Sequence, residues 1–398
     1  MTVDDFRVLT AVELGSRNHE VVPTKLIHQV GGLRSVSATG RCISDLAKLS
    51  LISKLRNAKY DGYRLSFSGY DYLALKSMTN RGTVYSVGNI IGVGKESDIY
   101  STSDASGHTK VLKIHRLGRT SFRTVKNNRD YLRNKQTGNW MYLSRLAAEK
   151  EHQFMSVLHK NGFYVPTPYD WSRHCILMEW INGLPMRAVK KHRDYKGLYS
   201  GLMKFIVQLG NHGLIHCDYN EFNIIIRDEA DFGKYESDFV VIDFPQCVSI
   251  GHVDAEFYFN RDVEGITTFF AKRFNYRPRD DSSMLDTDGF GEGFRYAKPD
   301  FKRDVRRIAN LDVEVQASGY SKKKKNEEEE ELEGALEGMR NLNVVEEEEE
   351  EEESQSEYDE SEEESESDDD ENERIISAIS AGDGNLKMDK FGNYILDE

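Results

Sequence analysis

The residues best equipped for chemistry lie in Leu214-Ile-His-Cys-Asp-Tyr-Asn-Glu-Phe-Asn-Ile-Ile-Ile226 and in Phe239-Val-Val-Ile-Asp-Phe244. The first stretch places His216, Asp218 and Asn223 in one polar loop. The second delivers another carboxylate, Asp243, at the end of an apolar strand. A carboxylate facing an attacking hydroxyl, with an amide oxygen and a second carboxylate to hold Mg²⁺ against a polyphosphate, is what phosphoryl transfer needs. A lone His-x-Asp would carry little. The Asn five residues after Asp218, followed by the strand-borne Asp243, makes the grouping specific.

The same chemistry predicts partners upstream. Ile91-Gly-Val-Gly-Lys-Glu-Ser-Asp-Ile-Tyr100 lies between two β-rich runs. Gly92 and Gly94 lack Cβ atoms where a backbone would approach phosphates, as in the glycine-rich loop of protein kinases, and Lys95 and Ser97 join them as expected nucleotide contacts. Two glycines also suit a plain tight hairpin. A Walker A loop is excluded, because Glu96 stands where that loop needs Ser or Thr. Lys113 sits mid-strand in Val111-Leu-Lys-Ile114, where a lysine is otherwise an edge or snorkelling residue. In a kinase lobe it would meet the α- and β-phosphates and pair with a helix glutamate. Glu151 is the expected partner, since Phe154, Met155 and Leu158 follow at +3, +4 and +7; Glu149 is the alternative. His174-Cys-Ile-Leu-Met-Glu-Trp-Ile-Asn-Gly-Leu-Pro185 reads as a strand running into a hinge, with backbone near Glu179 and Ile181 reading the adenine edge. Asp231-Phe-Gly233 spells the kinase metal-binding triplet, but charged residues flank it on both sides, so it reads as a solvated hairpin turn. The metal is assigned to Asn223 and Asp243.

An α+β fold with four units would position these groups. Residues 1–82 read as a winged helix-turn-helix: helices at Asp4 to Val12, Thr24 to Val30 and about Ser37 to Leu51, then a hairpin turning at Asp61-Gly62. Nucleic-acid contact through Arg41, Lys48, Lys54, Arg56 and Lys59 is its expected role, protein docking the alternative. Residues 83–181 read as the smaller lobe of a bilobal kinase-like domain. It has runs at Val84 to Ile91, Asp98 to Ser101, Thr109 to His115 and His174 to Trp180, and a helix from Leu143 to Lys160. Within it, 117–139 carries Arg119, Arg123, Lys126, Arg129, Arg133 and Lys135 and reads as a mobile basic loop that orders on a partner. Gly183 and Pro185 mark a linker, and 182–320 reads as a mainly helical second lobe. Residues 321–398 read as an acidic disordered tail.

The net charge of −15 hides an asymmetry. Residues 326–398 hold 31 Asp and Glu against 4 Lys and Arg, leaving 37 acidic and 49 basic residues in 1–325. A basic folded part suits a polyanion such as RNA. Cys42, Cys175, Cys217 and Cys247 show neither metal-ligand spacing nor a disulfide framework, so buried free thiols in a reducing compartment are expected. The acidic N-terminal Met-Thr-Val-Asp-Asp-Phe has no signal-peptide character, and no apolar run approaches the roughly 20 residues that span a bilayer. A soluble intracellular protein without membrane partners is expected.

After Asp243 the chain departs from ordinary protein kinases. Phe244-Pro-Gln replaces Phe-Gly, no Ala-Pro-Glu follows, and no long activation segment separates Asp243 from the helix near Arg261, where Asp262 is the expected brace of the catalytic loop. Gly92 to Tyr100, Lys113-Ile-His-Arg-Leu-Gly-Arg-Thr-Ser-Phe122, His216 to Asn223 and Ile242-Asp-Phe-Pro-Gln246 closely resemble the RIO family of atypical serine/threonine kinases. The helical N-terminal module points to its type 2 branch, in eukaryotes. The resemblance covers roughly residues 1–320. It implies an ATP- and Mg²⁺-dependent kinase or ATPase that acts in cytoplasmic maturation of the small ribosomal subunit, bound to pre-ribosomal RNA and protein. It implies nucleotide contacts at Lys113 and the Gly92 loop, acid/base catalysis at Asp218, and metal at Asn223 and Asp243, the latter also a possible phosphoryl acceptor. A kinase-fold scaffold with a structural nucleotide and a small-molecule kinase are the alternatives. Retention of Lys113, Asp218, Asn223 and Asp243 together speaks against the first, and the N-terminal module and basic loop against the second. Leu332, Leu336, Met339, Leu342 and Val344 form an apolar island that resembles a leucine-rich export signal, implying an export receptor and shuttling through the nucleus; docking on the kinase itself is the alternative. Thr120, Ser121 and Thr124 are candidate autophosphorylation sites, and Ser354, Ser361, Ser365 and Ser367 lie beside acidic runs that would attract an acid-directed kinase.

Overall fold

The computed structural model describes residues 1–16, 19, 21–55, 62–119, 140–232, 235–279 and 293–317, with the short strands Leu386–Met388 and Tyr394–Leu396. The N-terminal module holds helices α1 (Val3–Gly15), α2 (Thr24–Gly31) and α3 (Val36–Lys48) and a small antiparallel sheet. Its strands β1 (Val22–Pro23), β2 (Ile52–Leu55) and β3 (Gly62–Leu65) run in the order β1-β3-β2. Gly62 opens β3 rather than forming a turn. A Cβ there would lie 2.3 Å from Val21 Cγ1 and 3.0 Å from Val22 O, so only glycine lets β1 lie alongside. Arg41, Lys48 and Lys54 are exposed; Arg56, Lys59 and Asp61 lie outside the described residues.

The module does not end in the hairpin. Helix α4 (Phe67–Asn80) follows, with Ser66 Oγ accepting the Gly69 N–H as its N-cap. Its buried Ala74 and Met78 pack on Leu112, Ile114, Cys175 and Leu177, the rear face of a second sheet. That sheet contains β4 (Ser86–Val93), β5 (Ser97–Ser103), β6 (Thr109–His115), β7 (Pro168–Ser172) and β8 (Cys175–Glu179) in the order β4-β5-β6-β8-β7, antiparallel throughout. Because side chains alternate along a strand, burying Leu112 and Ile114 against α4 turns Lys113 and His115 to the opposite face. Helix α5 (Trp140–Lys160) covers that face. Strand β7 was not anticipated from the sequence.

Past β8, Gly183–Pro185 is not a linker but strand β9, paired with β11 (Ile224–Arg227), which in turn pairs with β12 (Phe239–Val241). A Cβ on Gly183 would meet Ile226 O at 2.1 Å, so the glycine there permits strand contact. Strands β10 (Leu214–Ile215) and β13 (Val248–Ser249) form a two-stranded ribbon. The helices of this lobe are α6 (Tyr195–Asn211), α7 (Ala255–Phe274), α8 (Phe301–Asp304) and α9 (Leu311–Glu314). The lobe is thus less purely helical than expected. Its core packs Tyr199, Phe205, Phe259 and Phe270 around Tyr219 and Phe244. All four cysteines are free and buried, and no described helix is long and apolar enough to cross a membrane.

The segment 321–398, expected to be without structure throughout, holds β14 (Leu386–Met388) paired with β15 (Tyr394–Leu396). The charge run stops before this point, and Leu386, Met388, Tyr394, Ile395 and Leu396 supply apolar residues that the run lacks. The apolar island at Leu332 to Val344, the four tail serines, and Thr120, Ser121 and Thr124 lie outside the described residues.

Candidate active site

Lys113 lies on β6, the third of five strands, opposite Ile99 on one side and Ile176 on the other. Its Nζ donates to Glu151 Oε1 at 2.7 Å and to Asp243 Oδ1 at 3.3 Å, joining both lobes through one ammonium group. Glu151 is 2 % exposed on the inner face of α5, whereas Glu149 points to solvent, which settles the choice between them. Burial raises the Glu151 carboxyl pKa, but Lys113 and then His115 outweigh it and hold the group below the carboxylate range. Burial likewise opposes the Lys113 charge, and Asp243 and Glu151 overcome it, keeping the amine protonated. His115 was missed in the sequence. Its Nε2 lies 2.9 Å from Glu151 Oε2, and the available signal was its position two residues after Lys113 on the same strand face.

The loop from His216 to Asn223 leaves β10 and is held by α7 and by the segment after β12. Asp262 of α7 accepts the Cys217 N–H at 2.9 Å and the Tyr219 N–H at 3.2 Å, and Arg261 donates to the Cys217 carbonyl. Cys217 takes a left-handed backbone (φ 65°), a conformation that such bracing sustains. Burial pushes the Asp262 carboxyl up to about 7 against the pull of its two N–H donors. His216 links the loop to the segment that follows β12. Its Nδ1 accepts the Asp218 N–H at 3.3 Å and its Nε2 faces Ile242 O at 3.2 Å, which requires the Nε2–H tautomer. Burial lowers its pKa to about 4, so the ring is neutral at physiological pH.

Asn223 Nδ2 donates to Asp218 Oδ2 at 2.8 Å and to the Asp218 carbonyl at 2.9 Å. Asn220, not anticipated, donates to Asp218 Oδ1 at 2.8 Å. Burial raises the Asp218 pKa, opposed by the Asn223 hydrogen bond and aided by the charge of Asp243. Asp243 follows β12 in a left-handed conformation (φ 69°), a second non-glycine residue held there at the site. The pairing of Ile224 with Val241 brings Asn223 and Asp243 to the same end of the β11–β12 ribbon. Asp231 belongs to the other end, in a turn at Glu229–Asp231 where Asn182 Nδ2 donates to it at 2.9 Å. The decoy triplet is therefore a turn between strands, as its charged flanks suggested; Gly233 lies outside the described residues.

Gly92 and Gly94 sit on the β4–β5 hairpin, where the Gly94 N–H donates to Ser97 O at 2.7 Å. Gly94 and Lys95 are exposed and Ser97 half-buried. Glu179 is tied to Thr167. Its N–H donates to Thr167 O at 2.9 Å and its side chain accepts from the Thr167 hydroxyl at 2.8 Å. These bonds engage the Glu179 N–H and side chain, and Ile181, the other residue expected beside an adenine edge, is buried.

Among the described residues no group of three or more His, Cys, Asp and Glu forms a metal cage. The oxygen donors of Asn223 and Asp243 suit Mg²⁺, which binds through one or two protein oxygens plus phosphate and water. With Asn223 Nδ2 committed to Asp218, its Oδ1 is left as a hard donor alongside the Asp243 carboxylate.

Residues 98–283 match the RIO domain family and residues 1–81 the Rio2 N-terminal family. The chain is 62 % identical over 418 residues to the serine/threonine-protein kinase RIO2 of Saccharomyces cerevisiae, covering 100 % of this chain and 98 % of that protein. The chain belongs to the Rio2 family of serine/threonine kinases. An archaeal Rio2, from Methanocaldococcus jannaschii, is 33 % identical over 277 residues, 68 % of this chain and 97 % of its own. The crystal structure of the Rio2 kinase–ADP/Mg²⁺–phosphoaspartate complex from Chaetomium thermophilum aligns with TM-score 0.64 and 48 % identity, covering 85 % of this chain and 97 % of that one. Membership of the Rio2 family makes this chain a serine/threonine kinase.

Proposed function

We propose that this Rio2 kinase works as an Mg-ATP-driven assembly factor on precursors of the small ribosomal subunit, and that Asp243 is its phosphoryl acceptor. The observation that carries the second part is the chain path after Asp243. Only residues 244–254 separate it from α7, and β13 in their midst pairs with β10, leaving no extended segment on which a peptide could lie. The acceptor must then be tethered or small.

Lys113 lies beside the Asp243 carboxylate, and the phosphoaspartate of the Chaetomium Rio2 complex supports the route. An Asp243 oxygen attacks the γ-phosphorus, the bond to the β–γ bridging oxygen breaks, and ADP leaves. Water then cleaves the acyl phosphate, releasing phosphate and restoring the carboxylate. Asp218, raised in pKa and oriented by Asn220 and Asn223, holds and deprotonates that water. Asn223 and Asp243 would hold Mg²⁺, which when bound neutralises phosphate charge.

Charge supports the ribosomal partner. Residues 1–325 are net basic, and beside the loop of Asp218 a cleft of about 950 Å³ is lined by Arg187, Arg261, Lys272 and Arg273, with Glu221 and Glu264 on its wall. The winged-helix module adds exposed Arg41 and Lys54. Binding in the ATP state and release after hydrolysis would give the cycle its direction, with the bulk of the protein cytoplasmic and the Leu332 to Val344 island returning it from the nucleus through an export receptor. Measuring ATP turnover with and without purified small-subunit precursors tests this reading. Turnover changed several-fold by the particle supports it; turnover indifferent to the particle, with no co-sedimentation, rejects it.

A further inference from the structure

A chain of charges, buried at its centre in Arg116 and Asp98, runs from the N-terminal module to the glycine-rich hairpin. Asp71 of α4 accepts from Arg116 in bidentate fashion, NH1 to Oδ1 at 2.6 Å and NH2 to Oδ2 at 2.7 Å. The same guanidinium donates through Nε to Asp98 Oδ2 at 3.0 Å. Asp98, 3 % exposed, also accepts both terminal nitrogens of Arg119 at 2.6 Å. His174, wholly buried and stacked on Tyr70 of α4, faces Asp71 Oδ1 at 2.7 Å. Burial lowers the His174 pKa, so two carboxylates meet two guanidiniums around a neutral ring.

The far end of this chain grips the hairpin turn. The Arg116 N–H donates to Glu96 O at 2.6 Å, and Arg119 NH1 reaches Gly94 O at 3.4 Å. Asp98 is opposite Val93 in the β4–β5 register, at the base of the turn. Each guanidinium is planar and forked, so a bidentate partner fixes its orientation as well as its position. We propose that Asp71, Arg116, Asp98 and Arg119 are positioning residues through which the N-terminal module sets the phosphate-binding turn at residues 92–97. Buried ion pairs add little net stability over apolar packing, so a cluster of this kind is better understood as fixing geometry. The proposal rests on the reading of that turn as nucleotide-binding.

A second, half-buried pair at the same interface supplies the control. Glu13 of α1 accepts from Arg173 Nε at 2.6 Å and NH2 at 2.7 Å, and Arg173 also reaches Leu73 O and Ser77 Oγ of α4. It fastens the module to the β7–β8 turn and has no contact with residues 92–97. The experiment measures nucleotide Kd by titration calorimetry, with Mg²⁺ and ADP on the full chain, together with kcat and melting temperature. Asp71→Asn should raise Kd about three- to ten-fold while kcat at saturating ATP stays within about two-fold, the size of effect that distant coupled residues produce. Glu13→Gln should lower the melting temperature comparably and leave Kd unchanged. Arg119→Gln, at the exposed end of the chain, should reproduce the Kd rise, and the double variant Asp71→Asn/Arg119→Gln should add little to the larger single effect. Unchanged Kd in Asp71→Asn, or an equal rise in Glu13→Gln, overturns the proposal. If Asp71→Asn does not fold, unchanged Kd in Arg119→Gln overturns it. A wild-type chain that binds no nucleotide would sink the site reading too, whereas normal wild-type binding with unmoved variants sinks the relay alone.

Discussion

Replacing Glu151 by Gln should be among the most damaging isosteric changes in the smaller lobe. Glu151 is 2 % exposed between Lys113 Nζ at 2.7 Å and His115 Nε2 at 2.9 Å. Breaking a buried pair by removing one charge costs about 3–5 kcal/mol. Lys113 keeps Asp243 at 3.3 Å, a partner that is partly exposed, and the glutamine oxygen still accepts a hydrogen bond. The loss should therefore fall at or below the lower limit, about 2–3 kcal/mol, which lowers the melting temperature by about 5–10 °C. The same energy lost from lysine positioning lowers kcat/KM for ATP about 30- to 150-fold. The pH dependence follows from the direction of the shift. The Glu151 carboxyl is held below its ordinary 4.5 by Lys113 and His115 against burial, so its stabilisation is complete above that value and lost as pH falls through the folded pKa. Calorimetric melts of wild type and Glu151→Gln between pH 7.5 and 3.5 should show a gap that closes in acid. A gap under about 1 °C at neutral pH, or one that widens toward acid, would refute the reasoning.

Three further outcomes are expected. Asp218→Ala and Asp243→Ala should each reduce ATP turnover by about 10³-fold or more, while Asp231→Ala, at the far end of the β11–β12 ribbon, stays near wild type; a severe Asp231→Ala defect would reassign the metal. His216 has a folded pKa of about 4 against 6.5 when free, so the unfolded chain takes up its proton first as pH falls. The His216 contribution should therefore decline by up to about 3 kcal/mol between pH 6.5 and 4, so chemical denaturation of His216→Asn should show a correspondingly shallower decline than wild type; equal slopes would place the ring in a solvated state. Alanine at both Leu336 and Leu342 should shift the protein into the nucleus in fractionated or imaged cells, and an unchanged distribution dismisses the export reading.

The site was legible where chemistry imposes local spacing. His216, Asp218 and Asn223 share one loop, and Lys113 betrays itself as a charge in an apolar strand. Glu151 followed from its three apolar successors on α5 and Asp243 from Phe239 to Ile242 before it. What the sequence concealed depends on contacts between distant segments. Arg116 and Asp71 are 45 residues apart, and His174 and Asp71 103 apart, so no periodicity announces either pair. Helix α4 was hidden for another reason. Its first turn holds Phe67, Gly69 and Tyr70, which read more readily as strand and turn, although Ser66 and the spacing of Tyr70, Leu73, Ala74 and Met78 carried the helical signal. Strand β9 escaped because Gly183 and Pro185 punctuate chains more often than they pair, and only the close approach to Ile226 reveals the strand.

The most direct test of the account asks where the phosphoryl group goes. Wild-type enzyme is given a single turnover of γ-labelled ATP with Mg²⁺, quenched in acid, and divided between hydroxylamine and a salt control. An acyl phosphate on Asp243 predicts label on the protein that hydroxylamine removes, and no label on Asp243→Ala. Label that survives hydroxylamine and persists in Asp243→Ala would place the phosphate on serine or threonine and contradict the account.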